Sequence, residues 1–496
     1  LRYLNAPYRK AQDQGMAETA FAKWENRHTT IGEAEDIRDA KLDDVRAFYQ
    51  AHYAPNNAVI AITGAVTRAE AEELVKRHFG PIATRVIPPA PDLKEAPLAA
   101  EASRVVVDPL AKLSKLYVGG RAPERGTKDY WSLMLLGEIL SGEDENPLYQ
   151  SLVRSAKLAL SASANFPWWT NHAMYRGNPE LFGYVATLRP GADASAARAA
   201  AESAIKRFAD QGPTVTELER AKAQVHLGWI REFDSLADRA KLLSHYAALI
   251  GPVEGLWSDL SQVLALTPQD IAGAAGRWLA GAKSVVEVVP GKPLPPVAVA
   301  ETVVPEGTPR GPGVVRPVVQ PTPAPRAPKL ETFTLSNGLK VVFVRDQRLP
   351  LLEVRLSMSG GRVAEDPGQE GVAHAAAANL FKGAAGKNAA EIAESFARLG
   401  FTIASRASPE AMRVDASGLS SNAAAFFAEL GSTLADAAYP EPELELWRRK
   451  SSEGLKALLN DPDFLSSERI KQELFAGHPY GRAYPDEAKI AAPLVK

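Results

Sequence analysis

A gapless internal repeat limits this chain more than any other feature of it. Residues 44–64 laid over residues 270–290 match Asp44-Val45-Arg46-Ala47-Phe48-Tyr49, Tyr53 and Val59-Ile60-Ala61-Ile62 with Asp270-Ile271-Ala272-Gly273-Ala274-Ala275, Leu279 and Val285-Val286-Glu287-Val288. Self-similarity of this kind marks one structural unit used more than once. Each copy reads as a helix that opens on an acidic residue, carries apolar side chains one turn apart, breaks briefly and continues as a β-branched strand. Two domains of one kind are therefore expected to end near residues 64–82 and near residue 290.

A second match crosses a change in composition. From Pro290 to Phe333 the periodicity is lost, ending in Pro321-Thr322-Pro323-Ala324-Pro325-Arg326-Ala327-Pro328. Such a run favours extended polyproline II and builds no core, so residues 291–332 read as an interdomain linker. A Pro-rich ligand motif is the competing reading of the same residues. On either side, Glu217-Leu218-Glu219-Arg220-Ala221-Lys222 and Glu443-Leu444-Glu445-Leu446-Trp447-Arg448 each open a long helix after a proline-containing turn. Acidic residues there suit the positive end of the helix dipole. A third copy is thus expected to begin after the linker and to be unfinished at Lys496.

That third copy starts with a hairpin signal, Thr332-Phe333-Thr334-Leu335 and Leu339-Lys340-Val341-Val342-Phe343-Val344 around Asn337-Gly338, which supplies the left-handed turn. A strand over 351–358 runs into Gly360-Gly361, which read as a strand end. Helices are expected near 370–381, 389–400 and 421–437, with a strand pair near 401–419. Strands first and helices packed on one face afterwards make an α+β fold.

Composition then narrows the chemistry. The 496 residues correspond to about three domains at roughly 100–200 residues each. With 57 Lys+Arg against 59 Asp+Glu the net charge is −2, which argues against a nucleic-acid partner. No run approaches the ~18–20 apolar residues of a membrane span. The absence of cysteine excludes disulfides, thiolate metal sites and cysteine nucleophiles together. The ends, Leu1-Arg2-Tyr3-Leu4-Asn5 and Ala491-Ala492-Pro493-Leu494-Val495-Lys496, read as internal positions of a longer protein.

Among His28, His52, His78, His172, His226, His245, His374 and His478, no pair stands four residues apart, the spacing that lets one helix face hold a metal. No nucleophile elbow, P-loop or dinucleotide-binding glycine motif is present. Trp168-Trp169 beside His172 reads as one core and one rim aromatic rather than a substrate patch. The alanine-rich stretches 195–207 and 389–399 are explained by helix propensity.

His374 lies in Gly371-Val372-Ala373-His374-Ala375-Ala376-Ala377-Ala378-Asn379-Leu380-Phe381-Lys382-Gly383, directly after the hairpin, the second strand and Gly360-Gly361. This order resembles the opening domain of the M16 family of zinc peptidases, the insulinase or pitrilysin-like family that includes mitochondrial processing peptidase. In that family the helix carries HxxEH, two histidines on zinc with a glutamate as general base. The resemblance puts His374 at the first ligand, Ala377 at the base and Ala378 at the second ligand; the third ligand would fall near Glu453 or Gly454. Methyl groups bind no zinc and take no proton, so His374 is expected to be a structural remnant. No metal site and no catalytic residue is expected within this chain.

The first half is similar as well. Asn5-Ala6-Pro7-Tyr8, Arg27-His28-Thr29-Thr30-Ile31-Gly32, Asp43-Asp44-Val45-Arg46-Ala47-Phe48-Tyr49, Tyr53-Ala54-Pro55-Asn56-Asn57-Ala58 and Phe79-Gly80-Pro81-Ile82 follow in order the latter part of an M16 first domain. On this resemblance the chain divides into residues 1–85, the end of a first domain whose motif lies upstream; 103–290, a second, non-catalytic domain; the linker; and 333–496, the start of a third domain. Asn146 through Ala164 resembles the stretch in which an arginine and a tyrosine help hold the substrate. Arg154 takes the arginine position and Leu160 the tyrosine position. A salt-bridged helix residue is the other reading of Arg154.

The resemblance implies the middle of a tandem zinc metalloendopeptidase that cleaves peptides in an enclosed chamber. Zinc would be bound by residues outside this chain, and this segment would supply chamber wall and substrate-holding domains. The alternative is a non-catalytic M16 homologue, a core or substrate-presenting subunit for a separate active peptidase. A different kind of interaction protein built on α+β repeats is a third reading. The implied partners are a peptide substrate and a second M16 subunit or copy, and the implied compartment is the bacterial periplasm, with cytoplasm left open.

Overall fold

In the computed structural model the described residues are 7–9, 15–28, 32, 34–141, 146–167, 179–292, 329–366, 368–459 and 461–482. Asn5, Ala6, Thr29-Thr30-Ile31, Trp168-Trp169, His172, most of the linker and the last residues before Lys496 lie outside them.

Short helices α1 (Met16–Ala20), α2 (Trp24–Arg27) and α3 (Ala34–Asp39) lead to α4 (Leu42–His52) and α5 (Arg68–Phe79). Helix α5 begins where Thr67 and Glu70 cap each other, the hydroxyl accepting from the Glu70 N–H and the carboxylate from the Thr67 N–H. The strand expected over Val59–Ile62 does not form. Residues 58–63 join no sheet, and Val59, Ile60 and Ile62 are exposed. A strand exists only where neighbours take its backbone groups, and among the described residues no strand pairs with this one.

The matching copy shows what such neighbours do. Strands β1 (Ala102–Asp108), β2 (Lys115–Ala122), β3 (Ala159–Asn165), β4 (Glu180–Leu188) and β5 (Lys283–Pro290) form one sheet in the order β1-β5-β2-β4-β3. Although last in sequence, β5 lies inside it, parallel to β1 and antiparallel to β2. Between the strands run α6 (Lys128–Ile139), α7 (Pro147–Tyr149), α8 (Ala194–Gln211), α9 (Val215–Arg231), α10 (Leu236–Leu249), α11 (Gly255–Leu264) and α12 (Pro268–Trp278). Side chains alternate across the sheet. Leu116, Val118, Phe182, Tyr184 and Val285 meet Trp131, Leu133, Leu136, Phe208 and Ile271 on the helix side, while Tyr117, Leu181, Val286 and Val288 meet Met16, Ala17, Ala20 and Phe21 on the other. Each such fully buried Leu-sized side chain contributes about 1.5–3 kcal/mol.

Beyond residue 328 the elements are β6 (Leu330–Thr334), β7 (Lys340–Val344), β8 (Leu351–Ser359), α13 (Val372–Asn379), the two-residue strands β9 (Gly383–Ala384) and β10 (Lys387–Asn388), α14 (Ala389–Arg398), β11 (Phe401–Ala407), β12 (Ala411–Leu419), α15 (Ala423–Ala435), α16 (Glu441–Leu458) and α17 (Pro462–Leu474). Strand β6 begins at Leu330, so the last residues read as linker are already strand, where β-branched and aromatic residues replace proline. Gly338 has φ +87° in the hairpin turn, and Gly360, φ +110°, follows the end of β8. The order β11-β12-β8 repeats β3-β4-β2, and β6-β7 stands as a separate hairpin. The fold is α+β, with a core on each side of the linker.

Candidate functional site

Helix α13 starts from Gly371, held at φ +100°. The Glu365 carboxylate accepts from the N–H groups of Gly371 at 3.1 Å and Ala373 at 2.9 Å. A carboxylate is favourable there because the first N–H groups of a helix have no partners within it. Ala373, Ala375 and Ala377 are buried, and His374 points to the open side. Its ring meets Trp447 of α16 edge-on, centroids 5.8 Å apart. It lines a hollow of about 150 Å³ with Arg362, Glu365, Glu370, Tyr480 and Arg482. Arg482 Nη1 closes the rim, donating to the carbonyls of Arg362 at 3.2 Å and Glu365 at 2.8 Å.

Although one side of the His374 ring reaches solvent, crowding on the other lowers its pKa. Desolvation is the largest cause, the Arg362 cation adds to it, and Glu365 opposes both. The sign is that of a histidine folded best when neutral. Its contribution is complete above the ordinary histidine value of about 6.5 and is lost as pH falls through the lower folded value. An NMR titration of the His374 ring should give a midpoint below that ordinary value, and Arg362→Gln should raise it. A midpoint at or above the ordinary value would contradict this environment.

The residues present do not fit zinc. Ala377 is 1% exposed and its carbonyl accepts from the Ser405 hydroxyl. Ala378 lines a different hollow of about 600 Å³, beside Arg220, Gln224, Phe381 and Phe396. Glu453 pairs with Lys456 at 3.0 Å and lines a third, with Leu160, Arg189 and Arg448. Zinc takes three or four nitrogen, sulfur or oxygen donors on one point; positions 374 and 378 lie one turn apart on α13, but the methyl of Ala378 offers no donor and Glu453 is paired with Lys456. Among the described residues no group of three or more His, Asp or Glu could hold a metal ion.

Arg154 belongs to a π-helical turn over Gln150–Ser155. Its fork meets the Glu443 carboxylate of α16, Nη1 to Oε1 at 2.6 Å and Nη2 to Oε2 at 2.9 Å. Tyr149 lies under the guanidinium at 5.7 Å, with Lys450 4.6 Å from the same ring. Leu446, one turn further along α16, is buried in the core of the five-stranded sheet. The Arg154 pair therefore ties the two sides of the linker together. A second tie runs from Arg220, whose Nη1 meets Glu394 Oε2 at 2.5 Å, and from Gln224, which donates to the carbonyls of Ala397 at 3.1 Å and Phe401 at 3.4 Å. Sequence reasoning named Arg154 and saw Glu443 only as a helix start; it missed Arg220 with Glu394. The available signal was the pairing of acidic Glu443 and apolar Leu446 on one helix, which needs a basic and apolar surface to dock on.

The profile described as Peptidase M16 inactive domain matches residues 39–225. The chain is 25% identical over 269 residues to the zinc protease PqqE of Helicobacter pylori, covering 54% of this chain and 59% of that protein. An uncharacterized zinc protease of Mycobacterium leprae is 24% identical over 256 residues, covering 50% and 54%. The crystal structure of a protease from Helicobacter pylori is similar in fold with a TM-score of 0.53 at 24% identity, over 58% of this chain and 68% of that one. The matches thus span little more than half the length of these curated relatives.

Proposed function

We propose that the chain, which matches the M16 inactive-domain profile over residues 39–225 and is similar to a zinc protease, is the non-catalytic, peptide-holding part of a zinc metalloendopeptidase of the M16 family. In this reading it supplies wall and substrate-holding domains to an enclosed chamber whose zinc is bound by other residues. A zinc ion in such enzymes activates a water for peptide hydrolysis; no step of that reaction is assigned to this chain. The observation that carries the reading is the state of α13, where His374 survives while alanines stand at the base and second-ligand positions. The two ties to α14 and α16 support it, because a chamber wall needs units held in one arrangement. A substrate-presenting subunit that pairs with a separate active M16 chain is the second reading, favoured by the match to an inactive domain.

The proposed ligand is an unfolded peptide, the proposed partner a second M16 unit, and the proposed compartment the bacterial periplasm, with which a chain of no cysteines is compatible. Among the described residues no helix is long and apolar enough to cross a membrane. Fluorescence anisotropy with a labelled unfolded peptide, followed by mass spectrometry of that peptide, tests the reading. Saturable binding with the peptide left intact, unchanged by a chelator, is expected. Chelator-sensitive cleavage would show a working site in this chain, and absence of binding would remove the substrate-holding role.

A further inference from the structure

Between α8, the end of α12 and the five-stranded sheet lies a hollow of about 420 Å³ that the reading above does not use. Ligand pockets run at about 300–1,000 Å³, apolar with a few placed polar groups. Phe182, Tyr184, Ile205 and Trp278 give it apolar walls. In its floor a side chain is missing. Gly120 follows Val118 by two residues on β2, so both face the helices, and Phe182 stands opposite Gly120 on β4. A Cβ on Gly120 would meet nothing closer than the Ala282 carbonyl and Lys283 Cγ, each at 3.9 Å, and its φ is not positive. Neither packing nor backbone requires glycine there. A glycine inside a strand costs stability and often marks close approach by a ligand.

Tyr184 is the second observation. It is 2% exposed, and among the described residues its Oη has no hydrogen-bond partner. Leaving a buried hydroxyl unpaired is unfavourable by roughly 1–3 kcal/mol. Burial raises its pKa, the nearby Glu202 adding to this, so the phenol keeps its proton as a donor. The rim charges are already matched, Lys206 with Asp210 at 2.6 Å and Lys283 with Glu202 at 4.0 Å. Such a rim favours no net charge on what enters.

We propose that this hollow binds a small, neutral, planar molecule of aromatic size, with one acceptor oxygen that receives the Tyr184 O–H. The inference does not rest on the peptidase reading.

Acetophenone, which carries a carbonyl, and α-methylstyrene, its isostere without one, are the probes, followed by titration calorimetry and saturation-transfer NMR. Acetophenone is expected to bind about fivefold more tightly, the worth of one net hydrogen bond. Tyr184→Phe should bring the two probes level. Gly120→Leu, which fills the floor, should abolish saturable binding of both. Each variant should keep the thermal midpoint of the parent chain or exceed it, since one removes an unpaired hydroxyl and the other fills space. Absence of saturable binding, binding that survives Gly120→Leu, or a preference for acetophenone that survives Tyr184→Phe would each overturn the proposal.

Discussion

Ala377→Glu is expected to destabilise the unit that follows the linker by about 3–5 kcal/mol, the range for leaving a buried charge without its partner. The methyl it replaces is 1% exposed, so the longer side chain overpacks the helix interface, typically by about 1–3 kcal/mol. Its carboxylate would also be taken from water. Ala378→His is the matched control. Position 378 borders a hollow of about 600 Å³, and an imidazole there should change stability by less than about 1 kcal/mol. Urea unfolding of the two single variants separates these outcomes. The double variant, which writes HxxEH in full, should take up no stoichiometric zinc, because Glu453 is held by Lys456 beside another space. A double variant as stable as the parent chain that binds one zinc per chain would show that the site is still built and lacks only its letters.

Arg125→Met is expected to have an effect of similar size on the five-stranded sheet and its helices. The Arg125 guanidinium lies 2.9 Å from Asp259 Oδ2, with the two side chains 3% and 10% exposed. Tyr246 Oη donates to the same oxygen at 3.0 Å, and the cation rests over the rings of Trp131 at 4.8 Å and Tyr246 at 5.6 Å. Removing the cation leaves the buried carboxylate with the Tyr246 hydroxyl but without its ion pair, which costs about 3–5 kcal/mol. At about 2–4 °C per kcal/mol for a unit of this size, the thermal midpoint should fall by roughly 10 °C. Arg125→Met combined with Asp259→Leu should recover most of the loss, since no charge is then left buried. Equal losses in the single and double variants would mean that the arginine acts through packing on the two rings and not through the pair.

Both expectations depend on neighbours far away in sequence, and that is where sequence reading succeeds or fails. The hairpin at Asn337-Gly338 was legible because its turn chemistry is local, and Gly338 takes the predicted left-handed backbone. The openings of α9 and α16 were legible for the same reason, with Thr214 and Glu217 capping each other ahead of α9. The repeat identified a helix and strand twice, yet only Val285–Val288 became a strand, because only there do β1 and β2 supply the ladder. At the positions that the M16 resemblance assigns to the metal motif, the letters His374, Ala377 and Ala378 were readable in order. That Glu453 borders a hollow with Leu160 and Arg189 was not, since it follows from how α16 docks. The partner of Arg154, almost three hundred residues away, was outside the reach of any local pattern. So were the bare floor at Gly120 and the Tyr184 phenol, without a hydrogen-bond partner among the described residues, each of which has meaning only across the sheet.

Zinc content is the most direct test of the account. Purified chain loaded with excess zinc, passed through gel filtration and measured by plasma mass spectrometry should retain no stoichiometric metal and leave an unfolded peptide uncut, with His374→Ala indistinguishable from it. One zinc per chain that disappears in His374→Ala, together with cleavage that a chelator stops, would contradict the claim that α13 carries only a remnant of the metal site.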